Sequence, residues 1–206
     1  MELDCSEKEC PNFMAVLLAA SGEQKDFCTS FFIEPQIIVT NRHCLPDGLK
    51  VDLIDCSKGI AFKSLNGSFT CEQVIKVASE SDKNLKGRDL AFLKTKEKSL
   101  SWVKPERFQI DVMENQFLKA KMWKVSLDSE VSANFSLEQS DCSVDLIRGS
   151  EQLSTTNCLI EKGNSGSAII NETGASIGLI YGFLDRGNIK QGDAGLGTLF
   201  NENFWY

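Results

Sequence analysis

The chain has 206 residues, 42% hydrophobic and 25% charged, a balance that belongs to an ordered globular protein and excludes a disordered one. Acidic residues outnumber basic ones by 29 to 22, and the formal net charge of -7 repels phosphate backbones and anionic membrane surfaces, so no nucleic acid is expected as a partner. Eight cysteines with no Cys-x-x-Cys pair, beside a single histidine, point to disulfides formed in an oxidising compartment rather than to a zinc site, and no metal or cofactor is expected.

No apolar run approaches the roughly 20 residues that a membrane span requires. No charged segment followed by an apolar one opens the chain, so an exported protein would stand here in its mature form, secreted or periplasmic.

Strand-length apolar or alternating runs, rich in Val, Ile and Phe, follow one another between turn signals. In chain order they cover 13–20, 27–33, 37–40, 51–54, 74–78, 90–93, 120–125, 142–147, 168–170, 176–181 and 197–200. No long amphipathic pattern competes with them, and the class is all-β. Asn66-Gly67 marks a hairpin turn, and Gly187 with Asn188 to Gly192 marks a glycine-bearing loop. The Lys-rich stretch from Lys94 to Arg107, interrupted by Pro105, joins two halves.

Three short segments carry chemistry. The first runs Phe27-Cys28-Thr29-Ser30-Phe31-Phe32-Ile33 and then Ile37-Ile38-Val39-Thr40-Asn41-Arg42-His43-Cys44. The second is Gly87-Arg88-Asp89-Leu90-Ala91-Phe92-Leu93, and the third is Lys162-Gly163-Asn164-Ser165-Gly166-Ser167-Ala168. Singly, each has an ordinary structural explanation as a buried histidine, a strand cap or a hairpin. Together, in the order His, Asp, Ser, the three resemble the catalytic segments of the chymotrypsin/trypsin-like serine proteases. The Gly-Asn-Ser-Gly-Ser loop resembles bacterial members most.

The resemblance implies two six-stranded antiparallel β-barrels with the active site in the cleft between them. It divides the chain into an N-terminal extension (1–12), a first barrel with His43 and Asp89 (13–100) and a second with Ser165 (101–206). It further implies a serine endopeptidase. Ser165 is then the nucleophile, His43 the general base and acid, and Asp89 the group that orients the imidazole; the backbone N–H groups of Gly163 and Ser165 form the oxyanion hole. Because His43 is the only histidine, no other residue could be the base of a Ser–His mechanism. Protein or peptide substrates are the implied partners, with protein inhibitors besides, and the expected state is a monomer. The runner-up is a catalytically silent binding protein of the same fold, although such proteins usually lack a triad member.

By the same resemblance a Cys28–Cys44 bridge ties the histidine loop, worth roughly 3 kcal/mol in the chain-entropy picture. Spacing leaves the other pairings open; Cys142–Cys158, Cys56–Cys71 and Cys5–Cys10 are the expected set. The primary specificity pocket is implied around Leu159, Ile180, Tyr181, Gly182, Phe183 and Gly195, with Tyr181 and Phe183 as good candidates for plain barrel core. Leu159 stands where trypsin keeps an aspartate for basic side chains, and Ile180 stands where glutamyl endopeptidases keep a histidine. Both substitutions disfavour a charged side chain at the scissile residue and leave an apolar or small one. Asn164 replaces the aspartate that pairs with a freed N-terminus in digestive members, so no cleavage-driven switch is expected. Asn66, Asn134 and Asn171 each sit in an Asn-x-Ser/Thr context.

Overall fold

The computed structural model describes residues 3–5, 10–19, 27–78, 89–109, 114–129, 134–146, 151–183 and 191–201. In the first half lie β1 (Leu3–Cys5), β2 (Met14–Ala19), β3 (Phe27–Glu34), β4 (Ile37–Thr40), β5 (Ile54–Asp55), β6 (Ile60–Ser64), β7 (Gly67–Val77) and β8 (Ala91–Thr95). After the connection come β9 (Gln116–Ser129), β10 (Asn134–Leu146), β11 (Gln152–Glu161), β12 (Ala168–Asn171), β13 (Ser176–Phe183) and β14 (Gln191–Leu199). Among the described residues the only helical pieces are two 3₁₀ turns, Arg42–Cys44 and Asp47–Leu49, and no helix is long and apolar enough to cross a membrane.

The first sheet runs β5-β7-β6-β2-β3-β4-β8 and closes by pairing β7 with β8; the second runs β1-β10-β11-β14-β13-β12-β9 and closes by pairing β9 with β10. Each closed ring therefore has six antiparallel strands, with one further strand attached to its rim. Closure removes the exposed edges that an open sheet would present. β1 is the exception to antiparallel pairing: it lies parallel to β10, with Leu3 opposite Phe135, and so fastens the start of the chain to the second barrel.

Burial explains how the strands read in the sequence. In β2, Ala15 and Leu17 point into the first barrel, whereas Met14 and Val16 point into the layer shared by the two barrels. A strand buried on both faces loses its alternation and reads as one apolar run. β4 is buried throughout for the same reason. The shared layer holds Phe31, Val39, Phe92, Trp123, Val125, Ala168, Leu179 and Phe200, and the interior of the second barrel holds Met122, Val144, Ile169, Ile177 and Ile180. Edge-on packing of Phe27 against Phe135, with ring centroids 5.0 Å apart, adds a contact across the layer.

Two elements differ from their sequence patterns. The run 51–54 is mostly turn, with Val51 and Leu53 exposed, Leu53 at φ 59° and only Ile54 entering a strand. At the β6–β7 hairpin the loop is Leu65-Asn66, and Gly67 already pairs with Ser64, so the turn lies one residue earlier than Asn-Gly suggests. Of the glycine-bearing loop at Gly187, residues 184–190 lie outside the described set.

The structure joins Cys5 to Cys10, Cys28 to Cys44, Cys56 to Cys71 and Cys142 to Cys158. Asn66 and Asn134 are exposed, whereas the Asn171 carboxamide is engaged with Glu106, Thr173 and Ala175.

Candidate active site

β4 ends at Thr40, and the chain turns at once through Arg42–Cys44, closed by the Leu45 N–H donating to the Arg42 carbonyl at 3.0 Å. This turn carries His43 out of the barrel wall, with 47% of its side chain exposed. Asp89 stands just before β8, whose Ala91 pairs with Thr40, so the strand register brings the carboxylate beside the turn. One carboxylate oxygen of Asp89 accepts the His43 backbone N–H at 2.9 Å, and the other is hydrogen-bonded to the ring Nδ1. Asn41, fully buried, donates its side-chain N–H to the Asp89 carbonyl at 2.7 Å and holds the carboxylate's own backbone. The imidazole is thereby fixed through two anchors, with Nε2 left for other work.

Ser165 is presented from the second barrel by the loop between β11 and β12. The Asn164 N–H donates to the Glu161 carbonyl at 3.1 Å, closing a four-residue turn whose third residue, Gly163, has φ +93°. A positive φ at that position is the type II arrangement, which only glycine adopts without strain. Space demands glycine as well, because a Cβ on Gly163 would lie 2.3 Å from the Phe27 ring. The side chain of Asn164 is wholly buried and bonded at both ends: its oxygen accepts the Glu161 N–H at 2.8 Å and its NH₂ donates to the Val125 carbonyl at 2.8 Å. The Gly166 N–H donates to the Ile180 carbonyl at 2.8 Å, and the Ile180 N–H to the Ser167 carbonyl at 3.0 Å.

The two barrels meet at this loop. Thr29 on β3 donates its backbone N–H to the Ser165 carbonyl at 2.8 Å. His43, Gly163 and Ser165 line one cavity of about 390 Å³, whose remaining wall includes Phe27, Leu45, the Cys28–Cys44 bridge and Lys162. Larger hollows of about 680 and 810 Å³ open elsewhere on the surface, and neither is lined by the chain's one histidine. Cys28, His43 and Cys44 bring potential metal-binding atoms within 4.8 Å of one another, but the two sulfurs are bonded to each other and have no thiolate to offer.

The residues named for specificity are distributed unevenly. Register sets Phe183 opposite Gly195 and Gly182 opposite Leu196, so the β13 end and Gly195 are adjacent. Gly195 is buried, with Ile160 and Thr155 lying 2.2 and 2.6 Å from where a Cβ would sit. The Ile180 side chain is fully buried in the second barrel's interior and faces its core; Phe183 packs partly against the same core. The phenol of Tyr181 is pushed up in pKa by burial first and by the Asp89 carboxylate second, so it stays protonated through the neutral range. Leu159 lies in the irregular stretch of β11 between Thr156 and Ile160, 46% exposed.

Sequence patterns do not mark the groups that hold this wall. Lys124 in β9 is 1% exposed, and its ammonium donates to the Leu159 carbonyl at 3.2 Å and pairs with the Glu138 carboxylate at 3.3 Å. A lysine inside an apolar strand ordinarily reads as the outward face. Removing Glu138 leaves the buried ammonium with the Leu159 carbonyl but no counter-charge, whereas Lys124→Met replaces it with an apolar side chain of similar length. Because Glu138 is itself half-exposed, Glu138→Ala is expected to cost about 1–3 kcal/mol of stability, the scale of one lost buried hydrogen bond. Lys124→Met is expected to cost less, and chemical unfolding of the two variants checks the order.

Residues 28–179 match the family model of the trypsin-like peptidase domain, most of the chain. The chain belongs to the trypsin-like peptidase family. No curated protein matches the peptidase in sequence. Among solved structures, a Glu endopeptidase in complex with MPD is similar over 94% of this chain and 86% of its own, at 16% identity and a TM-score of 0.66. The thermostable serine protease AL20 from an extremophilic microorganism aligns over 93% of both chains at 13% identity and a TM-score of 0.63. Neuropsin from mouse brain aligns over 95% of this chain and 94% of its own, at 13% identity and a TM-score of 0.62. The double barrel is thus the fold of these proteases, and the peptidase is a serine endopeptidase.

Proposed function

We propose that the peptidase cleaves peptide bonds through an acyl-enzyme, with Ser165 as nucleophile, His43 as general base and acid and Asp89 as its orienting carboxylate. The observation that carries this assignment is the double grip of Asp89 on the backbone and ring of the chain's only histidine, whose loop lines one cavity with Ser165.

Serine is a weak nucleophile at neutral pH, so its proton must pass to a base as it attacks. His43 Nε2 takes the Ser165 proton, and Asp89 holds the other ring nitrogen protonated and stabilises the imidazolium. The negative charge that develops on the substrate carbonyl falls to the N–H groups of Gly163 and Ser165. The type II turn at Gly163 supports this, since the opposite flip of the Lys162–Gly163 peptide would need a negative φ at Gly163. His43 then returns the proton to the leaving amine, and water, activated by the same imidazole, releases the acyl group.

Asn164 supplies no carboxylate for a freed N-terminus, and its amide is already held at both ends within the loop's surroundings, so the loop stands ready without a cleavage step. Residues following the scissile bond occupy the cavity beside the Cys28–Cys44 bridge. The acyl side lies along β13, where an apolar or small scissile side chain is accepted. Four disulfides favour an oxidising compartment, and the working unit is a secreted or periplasmic monomer acting on protein or peptide substrates and open to protein inhibitors.

Rapid quenching of the reaction with an activated ester is expected to trap one acyl group on Ser165, visible by peptide mass mapping. A burst of product equal to the enzyme concentration accompanies it. Acylation elsewhere, or turnover with no acyl-enzyme, contradicts the mechanism.

A further inference from the structure

The oxyanion loop needs a fixed place as well as a turn type. The positive φ at Gly163 sets the turn of the Lys162–Gly163 peptide. Where the loop stands relative to His43 depends on what holds the next peptide. The peptide between Gly163 and Asn164 is held at one end by the Asn164 N–H bond to Glu161, at 3.1 Å. At the other end the Gly163 carbonyl accepts the hydroxyl of Thr29 at 3.2 Å.

Thr29 belongs to the other barrel. It is wholly buried, and its hydroxyl is itself oriented because it accepts the Val125 N–H of β9 at 3.1 Å. Its backbone N–H donates to the Ser165 carbonyl at 2.8 Å, and its carbonyl accepts the Thr40 hydroxyl at 2.9 Å, three residues before His43. Its neighbour Cys28 is bonded to Cys44, which follows His43. One residue therefore touches the carbonyls on both sides of Asn164 and is tied to the histidine loop at two points.

We propose that Thr29 is a positioning residue: its hydroxyl, aimed by Val125, holds the Gly163–Asn164 peptide and so sets the oxyanion loop in register with His43 across the barrel interface. The proposal rests on the triad and oxyanion hole proposed above. Valine keeps the shape of threonine but offers no donor or acceptor, and leaves both the Gly163 carbonyl and the Val125 N–H unpaired. Serine keeps the hydroxyl. The loss should fall on the transition state, where the oxyanion exists, and spare the ground state.

The test compares Thr29→Val, Thr29→Ala and Thr29→Ser in the full chain, using a fluorogenic peptide cleaved by the wild type and the aldehyde of the same peptide. For Val and Ala, kcat is expected to fall roughly 10- to 100-fold with KM changed less than about threefold, and aldehyde affinity to fall by a factor similar to kcat. Thr29→Ser is expected to stay within about threefold of the wild type in kcat and aldehyde affinity. A Val or Ala variant with native disulfides and wild-type kcat overturns the proposal, as does a Ser variant that loses as much as Val. If Val does not fold, Ala and Ser decide the question by the same criteria. A wild type that fails to react with a fluorophosphonate sinks the triad and Thr29 with it; a reactive wild type with unimpaired Val and Ala variants sinks Thr29 alone.

Discussion

Ser165→Ala is expected to lower kcat by roughly 10⁴- to 10⁶-fold while the protein unfolds as the wild type does, because it deletes one partly exposed hydroxyl and leaves every loop hydrogen bond in place. His43→Ala should cost about as much, since without a second histidine nothing else can take the serine proton. Asp89→Asn should cost on the order of 10⁴-fold, because a carboxamide beside Nδ1 favours the wrong tautomer. The double variant Ser165→Ala/His43→Ala should be scarcely worse than either single one, since the two residues act as a unit. Steady-state hydrolysis together with thermal unfolding checks all four; near-additive losses in the double variant would mean that the two residues act separately.

Gly166→Ala is expected to be the most damaging Gly→Ala change among the described glycines. Gly166 has φ +87°, and a Cβ there would lie 1.9 Å from the Thr29 carbonyl oxygen and 2.8 Å from the Thr40 hydroxyl. Both obstacles belong to the first barrel, so relief requires the nucleophile loop to withdraw from the histidine loop. Gly174 supplies the internal comparison: φ is +83°, but nothing lies within 4 Å of its would-be Cβ. Gly174→Ala should therefore cost only the backbone term, about 1–2 kcal/mol. Gly166→Ala should cost upwards of about 3 kcal/mol and abolish activity in whatever fraction folds. Denaturant unfolding of the pair measures the difference; equal costs would mean that the barrels do not meet as closely as Gly166 and Thr29 indicate.

The segments of the proposed triad stand out in the sequence because each combines a rare residue with a strand end. Thr40 to Cys44, Asp89 ahead of Leu90 to Leu93, and Gly163 to Ser167 keep their spacing in any local context. Strands buried on both faces, such as β2 and β4, were equally plain as apolar runs. β11 was not, since Gln152–Glu161 carries polar or exposed residues at most positions and only Leu153, Thr155, Cys158 and Ile160 face inward. β6 was hidden by its short, alternating pattern, and β1 by having only three residues. The supports of the site were invisible for a different reason. Thr29, Asn41 and Lys124 act through partners as far as 134, 48 and 35 residues away, a relation that only the folded register creates.

The proposed specificity wall shows the same division. Resemblance placed Leu159 and Ile180 in the pocket by position along the chain. The fold turns the Ile180 side chain into the barrel interior, and its backbone bonds serve the nucleophile loop instead. Leu159 contributes a carbonyl that Lys124 holds, while its side chain stands exposed at that edge.

Stoichiometric labelling by an alkyl fluorophosphonate tests the joint action of Ser165 and His43 most directly. One phosphonyl group per chain on Ser165 in the native protein is expected, with none after unfolding in denaturant and none in His43→Ala. No labelling of the native protein, or undiminished labelling in His43→Ala, would contradict a Ser165 nucleophile activated by His43.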